Sequence, residues 1–148
     1  MSYGLSIIFL NGKYKMFGIS KEVLNTIGNP DILQMLYSPE KQELILSMGD
    51  KEHYSCAMKN TEETKDFLWV LSDIFVTKME DEMRILGDCV AVCVNGQIDD
   101  IDKLGVSVRF DISCTSYTTL DFDNMPPTIE THCYPKHMHL YQNTFRFL

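Results

Sequence analysis

The sequence predicts an α+β fold of mostly antiparallel strands with two helices. Three observations carry that prediction. Hairpin turn signals, Asn11-Gly12 and Ser38-Pro39-Glu40-Lys41, each stand between short apolar runs. One short helix over residues 20–27 is punctuated at both ends. The second half alternates β-rich stretches with turn residues and holds one longer amphipathic segment.

Taken in order, residues 5–10 and 14–17 read as the strands flanking Asn11-Gly12. The helix follows. Ser20 is placed to accept a hydrogen bond from a free N–H of the first turn, and Glu22 sets negative charge near the positive end of the dipole. Ile19 and Leu24 have the spacing of a hydrophobic staple. Gly28 can take the left-handed conformation that ends a helix, and Pro30 prevents its continuation. A helix this short is unstable alone and must pack on something. Residues 32–37 and 43–48 form a second hairpin, with Pro39 where its fixed φ suits a type I turn. Residues 53–58 add a short strand.

Asn60 and Glu63 have capping-box spacing, and Phe67, Leu68, Leu71, Ile74 and Phe75 follow the pattern of a buried helical stripe. The second helix is therefore expected across these residues, with Glu80-Asp81-Glu82 as its solvated end. Residues 85–94 and 106–112 read as strands, the first broken by Asn95-Gly96 and the two joined by an acidic loop. Residues 117–122 suggest another strand, which Pro126-Pro127 cannot prolong. The closing stretch 139–148 places His139, Tyr141, Asn143, Phe145 and Phe147 on one face by period-2 alternation. The division expected is a unit at 1–52 and an antiparallel sheet with one amphipathic helix at 53–148, sharing one core.

The formal net charge of −8 opposes binding to nucleic acid or to an anionic membrane. Only Lys13, Lys15, Lys21 and Lys41 offer a basic patch near the first helix. No apolar run approaches the roughly 20 residues needed to span a bilayer, and the start lacks the basic n-region of a secretory signal. Five cysteines, an odd number, fit reduced thiols and a cytoplasmic location.

Residues 12–48 resemble the swapped-hairpin unit of the AbrB, SpoVT and MazE regulators. The resemblance runs through Ile19, Glu22-Val23, Thr26-Ile27-Gly28, the strand 32–37 and Leu44-Ile45-Leu46. It implies a homodimer with interleaved hairpins, and a DNA-binding transcriptional or antitoxin role through Lys13, Lys15, Lys21 and Lys41. Ser20 stands where that family typically has proline, and Leu24 and Asn25 where it often has arginines. The phrases Ile27-Gly28-Asn29-Pro30 and Ser38-Pro39-Glu40-Lys41 are also similar to small uncharacterised bacterial proteins.

The densest reactive cluster is His132, Cys133, His137 and His139. His137 and His139 share a face if extended, and with Cys133 they are the candidate ligands of a zinc ion. The bland alternative is a histidine-bearing edge strand. Cys89 and Cys93 read as core packing. Asp121 and Asp123 are a candidate carboxylate pair, but no catalytic residue is assigned, and phosphate loops, G-x-S-x-G and H-E-x-x-H are absent. The expected function is non-enzymatic association with a protein or small ligand, as a homodimer. A DNA-binding regulator and a metal-dependent enzyme are the alternatives.

Overall fold

The structure is a computed structural model and describes residues 3–10, 15–48, 56–57, 61–83, 91–101, 105–118 and 120–127. In chain order the strands are β1 (Ser6–Leu10), β2 (Met16–Ser20), β3 (Ile32–Ser38), β4 (Glu43–Met48), β5 (Cys56–Ala57), β6 (Thr61–Glu63), β7 (Phe67–Leu71), β8 (Ala91–Ile101) and β9 (Gly105–Tyr117). Helix α1 (Lys21–Thr26) follows β2 and helix α2 (Asp73–Met83) follows β7; a 3-10 turn covers Phe122–Asn124. The strands form one sheet in the order β5-β3-β4-β9-β8-β1-β2-β7-β6, every pairing antiparallel. The sheet curls into a half-barrel, so the fold is strand-dominated. Residues from the first fifty positions and from beyond position 90 lie side by side in it, at β4–β9 and β1–β8.

Both helices lie on one face of this sheet. Phe9, Phe17 and Ile19 meet Val23 and Leu24 of α1, Val76 and Met79 of α2, and Val108 and Phe110 of β9. The opposite face carries a second cluster, in which Leu120 and Met125 cover Ile8, Met16, Phe67 and Trp69. Strands β1 and β2 therefore bury side chains on both faces, which is why they lack a polar alternation. Gly18 sits directly opposite Trp69, and only the absence of a side chain there admits the indole.

Helix α1 forms as its sequence signals require. The Ser20 hydroxyl accepts a hydrogen bond from the Val23 N–H at 3.4 Å. Gly28 has φ +92°, and the Asn29 N–H returns to the Leu24 carbonyl at 2.7 Å. Both expected hairpins are present, as β1–β2 and β3–β4.

The second helix is displaced from its expected place. Residues 67–71 are strand β7, not helix. The helix starts after Ser72, whose hydroxyl accepts from the Phe75 N–H at 3.3 Å. The run Phe-Leu-Trp-Val-Leu is continuously apolar because β7 is covered on both faces, and periodicity alone cannot separate such a strand from a buried helical turn. Ile74, assigned to the buried stripe, is exposed; Val76 and Met79 take that role. Likewise Asn95-Gly96 does not end a strand: β8 runs through it to Ile101. Residues 120–125 turn instead of extending, and Asp121 caps the 3-10 turn by accepting from the Asn124 N–H at 3.1 Å.

A buried polar plug holds that turn on the sheet. The Asn124 amide donates to Asp66 at 2.9 Å and to Asp121 at 3.1 Å, and accepts from the Asp66 N–H at 2.7 Å. The Tyr3 hydroxyl donates to Asp121 at 2.8 Å. Asp121 is thus spent on capping and on Tyr3, a structural use of one half of the expected carboxylate pair.

Candidate functional site

Strands β8 and β9 are far longer than their neighbours, and their pairing is interrupted once. Val94 faces Thr115 and Gly96 faces Phe110, so Asn95 alone stands against Asp111, Ile112, Ser113 and Cys114. Such bulges re-aim side chains and bend the strand that carries them. Four bonds fix this one, among them that from the Ser113 hydroxyl to the Asp111 carboxylate at 2.5 Å. The Asp111 carboxylate accepts from the Ser113 N–H at 3.0 Å and from the Cys114 thiol at 3.4 Å. The Ile112 N–H donates to the Gln42 carbonyl at 2.8 Å, while its side chain enters the main core.

Beside the bulge lies a cleft of about 350 Å³, lined by Lys41, Glu43, Asn95, Gln97, Arg109, Asp111 and Cys114. Its volume is at the lower end of small-ligand sites, but its lining is polar where such sites are mostly apolar. Arg109 organises the charge. Its Nη1 donates to Glu43 at 2.8 Å and its Nη2 to Asp99 at 2.6 Å, joining β4, β9 and β8. The bond to Glu43 is the main reason the guanidinium is held even more firmly in its charged form. Its Nε is buried and finds no partner among the described residues.

The arrangement suits recognition more than acid–base chemistry. Hydrogen bonds from the Ser113 side chain and backbone hold the Asp111 carboxyl below its usual range, which makes it a weak base. The Cys114 thiol is exposed and bonded to that same carboxylate, with no basic side chain paired to it among the described residues.

Beyond the cleft the hairpin continues as an arm. The chain leading into β1 pairs with β8 only as far as Gly96, whose N–H donates to the Leu5 carbonyl at 2.8 Å, and the β4 ladder ends at Val108 of β9. Gly4 has φ +62°, and the Tyr3 ring before it packs edge-on against Phe67 with centroids 4.8 Å apart. Residues 97–101 therefore pair with 105–109 alone among the described residues. The arm continues the apolar stripe of the core face past the body of the sheet. Ile98, opposite Val108 and diagonal to Val106, is 60% exposed, and Val106 is 48% exposed.

The residues proposed from sequence fall in different surroundings. Lys15 pairs with Glu80 of α2. Lys21, at the other end of β2, pairs with Glu63 at 2.9 Å. Lys41 lines the cleft. Lys13 and the candidate metal ligands Cys133, His137 and His139 lie outside the described residues. Among the described residues no three His, Cys, Asp or Glu side chains gather as a metal site, and no helix is long and apolar enough to cross a membrane. Cys93 is half-buried on β8, and burial pushes its thiol pKa up. Glu43, Asn95, Gln97 and Arg109 were invisible from sequence, because the cleft joins positions far apart in the chain. One local sign existed: Asp111-Ile112-Ser113 is an Asx-turn spacing inside a strand-like run. Comparison with protein-family models, curated proteins and solved structures finds no match.

Proposed function

We propose that this chain is a non-enzymatic association module that engages a protein partner through the β8–β9 arm. The observation that carries this reading is the arm itself. It passes both neighbouring strands and leaves Ile98 and Val106 exposed on one face. Their clustering on one face of a projecting arm, where single exposed apolar residues would be ordinary, supports its use as a contact surface. The cleft at its base supports the same reading, since Arg109 is bonded to both Glu43 and Asp99 and braces the arm instead of poising a nucleophile.

The test is a paired substitution, Ile98→Lys with Val106→Lys, in the full chain. Both positions are exposed, so stability should change by no more than about 0.5 kcal/mol. Cross-linking in lysate should then yield partners bound by the parent and lost from the variant. An identical set of partners for both proteins, with melting unchanged, overturns the proposal.

A further inference from the structure

Among the described residues, 97–101 form an open strand edge. Their inner side is paired with β9, and among the described residues nothing pairs with their outer side. Every second residue of an antiparallel edge turns its N–H and C=O outward, which makes it a template for one more strand. Edges of this kind are commonly protected by charged side chains, lysine above all, by proline or by a bulge. This one, which begins just past the bulge, has Gln97, Ile98, Asp99, Asp100 and Ile101: no proline or lysine, and two aspartates that guard it against acidic or like strands while leaving it open to a basic one.

The side chains along the edge define what would fit. Ile98 and Asp100 point to the core-bearing face, whereas Gln97, Asp99 and Ile101 point to the other. Asp99 and Asp100 make the middle of the edge acidic, and Asp99 already shares Arg109 with Glu43. A second copy of the chain fits badly. Any antiparallel self-register centred on this stretch sets aspartate against or beside aspartate, and like charges directly opposite destabilise a strand pair.

Building on the association role proposed above, we infer that the outer edge of β8 captures an extended segment of a partner protein as an added antiparallel strand, and that this segment carries two adjacent basic residues between apolar ones. Opposite residues 101 to 97 the required order is apolar, basic, basic, apolar, polar. The main-chain ladder supplies affinity and the paired charges supply selection.

The probe is the acetylated, amidated peptide Thr-Val-Lys-Lys-Val-Thr, titrated into the isotope-labelled full chain at low salt. Amide resonances of residues 97–101 should shift, and their hydrogen exchange should slow. The same peptide with glutamate for lysine should not bind. Asp100→Lys, an exposed change that leaves the circular dichroism spectrum intact, should weaken the lysine peptide about fivefold or more. Four results overturn the inference: no shift at 97–101, shifts confined to another surface, equal binding of the glutamate peptide, or amides at 97–101 already protected in the chain alone. In the last case sedimentation tells a twin from cover by the chain's own residues. If the peptide fails while Ile98→Lys with Val106→Lys still abolishes partner capture, only the strand-addition mode falls. If arm-dependent capture is also missing, the association role falls with it.

Discussion

Gly18 shows how tightly single residues set the packing of this sheet. A Cβ on Gly18 would lie 2.8 Å from the Trp69 ring, closer than real Cβ atoms come. The ring cannot easily move, because Trp69 is fully buried and its Nε1 donates to the Thr64 hydroxyl at 3.0 Å. Gly18→Ala should therefore force the indole from its rotamer and destabilise the protein by about 1–3 kcal/mol, the usual range for overpacking. Urea titration followed by fluorescence of the single tryptophan checks this; an unchanged midpoint would show that the ring has room to give. Gly96 is a similar case at the bulge. Its Cβ would fall 2.5 Å from Val108, so the base of the arm tolerates no side chain there. Neither requirement is conformational in origin: both glycines are needed for the space they leave, so the turn signal that Asn95-Gly96 presents in the sequence misstates the role of Gly96.

At the scale of elements, local chemistry was legible where one short segment satisfied its own needs. Helix α1 carries its cap, its dipole charge and its stop signal within residues 20–28, and it forms there. Ser20 does more than cap: its hydroxyl also accepts from the buried Ser6 N–H at 3.2 Å, tying the helix start to β1. Ser20→Ala removes the cap and leaves that N–H without its partner, so the loss should be about 1–3 kcal/mol, more than a cap alone. Chemical denaturation of S20A measures it, and Ser20→Thr should recover part of the loss. Segments whose character depends on distant cover were illegible. Strand β7 reads as helix because its two faces are covered by α2 on one side and by residues 120–125 on the other. The arm was hidden by Asn95-Gly96, a turn signal that tertiary pairing converts into a bulge. The cleft was hidden for a related reason: it exists only once β4, β8 and β9 lie together.

Across the whole molecule, two tyrosines bridge parts that the chain order separates, and both make stability depend on alkaline pH. Tyr37 on β3 donates to Glu82 of α2 at 3.0 Å, and Tyr3 reaches Asp121 beside the 3-10 turn. Burial first, then the bond to a carboxylate, pushes each phenol from its ordinary 10.0 up to about 12. The folded chain thus keeps two protons that the unfolded chain releases near pH 10. Their contribution is complete below that pH and is lost as pH rises from 10 to about 12. Because β1, β8, β9 and β4 are adjacent in one sheet, loosening at either tyrosine is transmitted to strands from both halves of the sequence. Stability should accordingly fall across that window in a single transition, with far-UV circular dichroism and Trp69 fluorescence changing together. Tyr3→Phe and Tyr37→Phe should each lower stability at neutral pH and flatten the alkaline decline, because a phenylalanine has no proton to lose. A decline as steep in the double variant as in the parent would show that the alkaline sensitivity resides in other groups.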